Sequence, residues 1–273
     1  MQNKIILLNL FVFLLFFAAC GSSGQKKNGD ETSVLPEKNK SEIIKKVISF
    51  NTLTDSEKQD GWVLLFNGVN LDGWRGYGKN TVPGAWTIED DAIKINGSGE
   101  GEAGVQDGGD IIYDKKFKNF ELQFDWKVSK GGNSGVFYLA REFDELPIYR
   151  SAPEYQILDN VNHLDAKLGK NGNRQSASLY DLIPANPQNS KGWGEWNSGS
   201  VTVKEGVVTH KQNDEIVVQY NLWIPEWEQM IENSKFKGWE EMINAGGEEH
   251  LGFIGLQDHG DDVWFRSIKL KEL

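Results

Sequence analysis

An all-β, two-sheet antiparallel sandwich is predicted for most of this 273-residue chain. Three observations carry the expectation. From Gly61 onward, short runs of β-branched and aromatic residues recur between Gly-rich turns. Within that part helical spacing of apolar residues gathers in one stretch, 221–250, apart from a short amphipathic possibility upstream around Ile43, Ile44, Val47 and Ile48. Strands do not alternate with helices, as a parallel sheet would require.

The first sixty residues read as an address rather than as fold. Lys4 precedes an apolar run from Ile5 to Phe17, broken only by Asn9, and Ala18-Ala19-Cys20 follows. A basic start, a short apolar core and small residues describe a signal peptide over 1–19. The one cysteine of the chain sits at the cut, in a setting that resembles a bacterial lipobox. Lipidation of Cys20 is expected, tethering a lipoprotein of the cell envelope to a bacterial membrane, facing the periplasm or the surface. With no second cysteine an intrachain disulfide is excluded. Residues 20–60 form the lipidated cysteine and a flexible tether, polar to about residue 40, with one helical turn expected after Thr54.

The sandwich is expected over 61–273 as a single domain. Trp62–Phe66 is an apolar strand ended by the turn dipeptide Asn67-Gly68, and Trp86–Ile95 reads as a hairpin about Glu89-Asp90-Asp91. Phe120, Leu122, Phe124, Trp126 and Val128 alternate with polar residues, which gives a strand with one buried face. Strands follow at 136–141, 154–159, 200–203, 206–211 and 215–220. The short helical insertion at 221–250, with Trp227, Ile231, Phe236, Trp239 and Met242, covers a face or an edge. A last strand pair, 253–260 and 263–270, is joined at Gly260-Asp261-Asp262. Alternation puts Phe253, Gly255, Gln257 and His259 on one face, and Trp264, Arg266 and Ile268 together on the next strand. The pair is expected to bring an amide, an imidazole and a guanidinium together, a set suited to a polyhydroxylated ligand.

The formal net charge is −11, and removing the signal peptide costs one more lysine. No basic stripe is present to neutralise phosphates, so nucleic acid is not an expected partner. Neither a phosphate loop nor a nucleophile elbow occurs, which argues against nucleotide and serine-hydrolase chemistry. Ten tryptophans leave some rings free for stacking on sugars, although core packing accounts for most.

Polar side chains collect at strand ends: Glu154 with Gln156, His163 in the following loop, Glu195 beside Trp196, His210, His259 and Arg141. Histidines with carboxylates suit acid–base work. They also admit a divalent metal, although no close-spaced ligand motif is present.

Several segments together resemble the 3-keto-disaccharide hydrolase family: Asn133–Tyr138, Glu154–Asp159 with His163, Ser178–Pro184, Gly194–Asn197, and Gly255–Gly260 with Val263–Arg266. The resemblance covers about residues 60–273. It implies a concanavalin-like (glucanase-like) jelly roll and an enzyme acting on a small-molecule sugar or glycan. A ketone at the third carbon acidifies the proton on the second, and its removal expels the glycosidic oxygen from the first. Water then completes a net hydrolysis without an oxocarbenium route. The resemblance implies Glu154, His163, Glu195, His210 and His259 as catalytic residues, with Glu154 or His163 as base or metal ligand. Asn133, Arg141, Gln156, Trp196, Gln257 and Arg266 are implied in substrate binding. A non-catalytic glycan-binding lipoprotein is the competing expectation, and neither reading specifies a protein partner.

Overall fold

The computed structural model describes residues 49–98 and 107–273. The signal peptide, Cys20 and most of the 20–60 tether lie outside the described residues. The described chain begins with a helical turn, α1 (Asp55–Gln59), whose capping box uses Thr54 and Glu57 reciprocally. Strands follow as β1 (Trp62–Leu64), β2 (Trp74–Gly76), β3 (Trp86–Glu89), β4 (Ala92–Ile95), β5 (Ile111–Phe117) and β6 (Phe120–Val128). Next come β7 (Asn133–Ala140), β8 (Glu154–Leu158), β9 (Asn197–Lys204), β10 (Val207–Gln212) and β11 (Glu215–Asn221). Helices α2 (Pro225–Glu232) and α3 (Glu240–Ile243) form the insertion, and β12 (Gly252–Leu256) and β13 (Val263–Glu272) close the chain. Among the described residues, no helix is long and apolar enough to cross a membrane.

The strands build two antiparallel sheets. One runs β11-β10-β9-β6-β13-β4-β3, with β1 also pairing β13, and the other runs β2-β5-β12-β7-β8. Their inner faces make the core. Phe120, Leu122, Phe124, Trp126 and Val128 of β6 meet Val136 and Tyr138 of β7, Tyr155 and Ile157 of β8, and Ile254 and Leu256 of β12. The strict alternation of β6 is the signature of one buried and one open face.

Two features depart from the sequence expectation. The last two strands are neighbours in sequence only: β12 lies inside the five-stranded sheet and β13 inside the eight-stranded one. Gly260-Asp261-Asp262 therefore crosses between sheets instead of closing a hairpin. Ile268 also leaves the face of Trp264 and Arg266, because Ser267 has a left-handed φ of 53° and bulges the strand. The Ser267 N–H is taken by the Asn51 side chain at 2.7 Å, and Ile268 turns into the core beside Phe265. Strands β2 and β5, not evident in the sequence, complete the five-stranded sheet on the far side of β12.

Candidate functional site

The site grows from the alternation of β8. Tyr155 and Ile157 enter the inter-sheet core, which turns Glu154 and Gln156 to the outer face of the five-stranded sheet. Glu154 is paired with Phe137, and Gln156 with Gly135. Gly135 is what makes room here: a Cβ on it would stand 2.2 Å from Glu154 Oε1. The carboxylate thus lies across β7 toward the end of β12, where the Gln257 N–H donates to the Gly135 carbonyl at 3.0 Å. Glu154 and Gln257 line one cavity of about 320 Å³. Gln257 Oε1 is buried there without a hydrogen-bond partner.

Residues 177–180 add an edge to β8. Ser178 accepts from the Gln156 N–H at 3.1 Å, and the Tyr180 N–H donates to the Glu154 carbonyl at 3.1 Å. This sets the Tyr180 ring beside Glu154 in the cavity wall. The Tyr180 hydroxyl donates to Asp165 at 2.8 Å, and Asp165 is held in turn by Arg174 at 2.7 Å. Burial, then the bond to Asp165, pushes the Tyr180 hydroxyl up, so it stays a proton donor. The helical insertion supplies Lys235, Phe236, Trp239 and Met242 to the opposite wall. Lys235 Nζ lies 4.1 Å from the Tyr180 ring centre, and burial lowers its pKa against the pull of Asp181 and Glu154.

A second group continues the same sheet face. His259 follows Gln257 by two residues, in the passage beyond the end of β12. His163, His259 and Asp261, all half-buried, bring one ligand atom each within 4.8 Å of one another. Two of the three, His163 and Asp261, are anchored in the surrounding backbone. His163 caps a 3-10 turn and accepts the Asp165 N–H through Nδ1 at 3.1 Å, which leaves Nε2 for chemistry. Asp261 accepts the Asn133 N–H at 3.1 Å, and Asn133 Oδ1 is buried without a partner. Burial lowers the His163 pKa, with the adjacent His259 charge adding to the effect. Burial raises that of Asp261. Two imidazoles with a carboxylate are a donor set that fits a divalent metal.

Of the residues expected at the site, the structure gathers Asn133, Glu154, Gln156, His163, Gln257 and His259 on one sheet face. Gln156 is buried, with Oε1 accepting the Ile157 N–H at 3.1 Å.

Five others are elsewhere. His210 is fully buried between the sheets. Its Nδ1 meets the Ala177 carbonyl at 2.9 Å and its Nε2 meets the Tyr138 hydroxyl at 2.8 Å, which itself contacts the Tyr220 hydroxyl at 2.6 Å. A carbonyl can only accept, so Nδ1 carries the proton and Nε2 accepts from Tyr138. Desolvation lowers the His210 pKa to about 4, and the ring is a neutral core bridge rather than a catalyst.

Glu195 is exposed on the loop before β9. Arg141 follows β7 at the end away from Asn133, over Phe143 and against Gly247. Trp196 and Arg266 stack at 3.8 Å on the outer face of the eight-stranded sheet, across the core from Glu154. The crossing at 260–262 is the reason, since it sends Gln257 and Arg266 to opposite outer faces.

Sequence reasoning missed Asp261, Tyr180 and Lys235. Asp261 read as turn chemistry, and Tyr180 lay unremarked inside the 178–184 segment. Lys235 has no signal beyond its place in the insertion.

Comparison with known proteins agrees with this fold. Residues 61–271 match the family described as the 3-keto-alpha-glucoside-1,2-lyase-like domain. A 3-keto-disaccharide hydrolase of Bacteroides thetaiotaomicron is 54% identical over 272 residues, covering 92% of this chain and 93% of that protein. A crystal structure of a glycosyl hydrolase, so described provisionally, from Parabacteroides distasonis superposes with a TM-score of 0.72 at 29% identity. It covers 82% of this chain and 100% of its own. A second from that organism gives 0.57 at 25% identity, covering 78% and 99%. The chain belongs to the 3-keto-alpha-glucoside-1,2-lyase-like family, and it is a carbohydrate-active enzyme with the sandwich fold that its sequence predicts.

Proposed function

We propose that this enzyme cleaves 3-keto-glycosides or 3-keto-disaccharides by elimination and hydration. The observation that carries the reading is that Glu154 lines a cavity with Gln257 over β7, while the His163–His259–Asp261 group is tied to the Asn133 end of that same strand. Glu154 takes the proton from the second carbon, and the electron pair moves onto the ketone oxygen as an enolate. Collapse of the enolate breaks the bond between the first carbon and the glycosidic oxygen, which takes a proton from Lys235 or Tyr180 on the facing walls. Water then adds across the resulting enone to give the free 3-keto sugar. The amide of Gln257 and that of Asn133 each have an unpartnered buried oxygen ready to accept from sugar hydroxyls. His163, His259 and Asp261 would hold a divalent metal, which when bound supplies Lewis-acid stabilisation of negative charge on oxygen.

The proposal extends to location. Residues 1–19 direct export, and Cys20 carries a lipid that anchors the 61–273 catalytic domain at the cell envelope. The basis is the sequence pattern alone.

The test is aglycone release from a 3-keto-glucoside and from its unoxidised parent by the purified protein, with and without chelator. In deuterated water, the product should carry deuterium at the second carbon. Glu154→Gln is expected to lower kcat by about 100-fold or more while the fold is retained. Equal release from both sugars, or no deuterium at the second carbon, would refute the elimination route. Binding of the sugar without release would favour a lectin-like role.

A further inference from the structure

The outer face of the eight-stranded sheet holds a second cavity, of about 490 Å³. It belongs to none of the chemistry above. Its floor is made of cross-strand rows. Lys211, Ser200, Gln123 and Lys269 lie opposite one another across β10, β9, β6 and β13. Ser198 and Asp125 line it from the next row, which ends in Arg266, and Glu121 lines it from the row on the other side. One wall is the segment Ser49–Thr52, fixed by the Asn51 side chain. Asn51 donates to the Asp91 carbonyl at 2.7 Å and accepts from the Ser267 N–H at 2.7 Å. The facing wall is Asp214, in the turn between β10 and β11.

From this we infer that the second cavity is a non-catalytic binding site for a neutral glycan, on the face of the sandwich opposite Glu154. The volume lies within the range of about 300–1,000 Å³ that small-molecule sites occupy. Ser200 is 6% exposed, lines the cavity, and has a hydroxyl oxygen with no hydrogen-bond partner. A buried hydroxyl without a partner carries a desolvation cost that a ligand hydroxyl would relieve. The lining alternates hydroxyl, amide, carboxylate and ammonium groups, which matches hydroxyls that both donate and accept. Lys269 is paired with Glu57 and the adjacent Arg266 with Asp125, which leaves Lys211 with Glu121 and Asp214 and little net charge to select an ion. The Phe50 ring in the wall has one face covered by the Arg266 guanidinium, 3.3 Å from the ring centre, so only its remaining apolar surface is left for the carbon face of a pyranose.

The site is tested by calorimetric titration of the full chain with maltotetraose, cellotetraose, laminaritetraose and isomaltotetraose, none of them oxidised. At least one is expected to bind with an affinity that Glu154→Gln leaves unchanged. Gln123→Ala and Lys211→Ala should each weaken it by about tenfold, the loss of one or two hydrogen bonds, without changing turnover of a 3-keto-glucoside. Two single variants on separate strands guard against misfolding, which the unchanged turnover also reports. Absence of binding for all four sugars overturns the inference. So does binding abolished by Glu154→Gln, or binding indifferent to both floor variants.

Discussion

Replacing His210 with Phe separates a core role from a catalytic one through the pH dependence of stability. In the folded protein the ring takes a proton only near pH 4, whereas an unfolded histidine does so near 6.5. Between those values the unfolded chain binds more protons than the folded one, so stability falls as pH falls through the window. Above about 6.5 neither state is protonated and nothing is lost; below about 4 the loss is complete. From about pH 7 to about pH 4.5 the His210 contribution amounts to roughly 2 kcal/mol, at 1.36 kcal/mol per pH unit of displaced titration. For a domain of this size that is roughly 4–8 °C in Tm. His210→Phe has its own cost at neutral pH, because the Tyr138 hydroxyl loses its acceptor and the Ala177 carbonyl its donor, about 2–4 kcal/mol together. The variant should thus melt lower than the parent at about pH 7, and the gap should close by about 2 kcal/mol at about pH 4.5. Scanning calorimetry at the two pH values measures this. Parallel pH profiles would show that the ring is not held neutral, and the assignment of His210 to the core would fail. Turnover of a 3-keto-glucoside per folded molecule should be unaffected at neutral pH.

Other outcomes follow from the same geometry. Gly135→Ala puts a methyl 2.2 Å from Glu154 Oε1, so the carboxylate must swing away; kcat should drop by about tenfold or more while Tm moves little. Asp261→Asn and His163→Ala should each weaken Mn²⁺ binding by at least about tenfold in calorimetry, and the parent's affinity should fall with pH because the ligands must be deprotonated. Gly252→Ala would place a methyl 2.2 Å from the Leu139 backbone, in a central strand pairing that cannot yield. Loss of soluble expression is expected, with recovery of a well-folded protein as the contrary result. Thr54→Ala breaks the capping box of α1 and should cost about 1 kcal/mol in a melting experiment.

How much of this was legible in the sequence depended on whether a signal was local. The buried face of β6 could be read directly, because five apolar residues alternate with four polar ones. Strand β5 could not, since Asp114-Lys115-Lys116 interrupts its apolar pattern where the strand faces solvent. Glu154, Gln257 and His259 were legible as polar residues at strand ends, and the structure brings them together. His210 misled because its pattern is that of any polar strand residue. What keeps it neutral is burial in the core, where its partner is the Tyr138 hydroxyl of β7, 72 residues away in sequence. Arg266 misled for a topological reason: a turn sequence states that the chain reverses, not which sheet it enters next. Lys235 comes from an insertion whose helices carry only a packing pattern, and its approach to Tyr180 depends on how that insertion folds over the sheet.

The passage from β12 to β13 ties the geometry of the candidate site to the integrity of the whole fold. Asp261 stands two residues before the strand that pairs with β1, β4 and β6, so its position is set by the most heavily bonded strand of the opposite sheet. A loop fixed this way has little freedom to open alone. The amides of Gly260 to Asp262 should exchange with deuterium at rates approaching those of global unfolding, much more slowly than surface turns such as Asn213-Asp214. Ligand capture in this enzyme would then draw on a rigid cluster, and whatever mobility admits the sugar would fall to the helical insertion on the other wall.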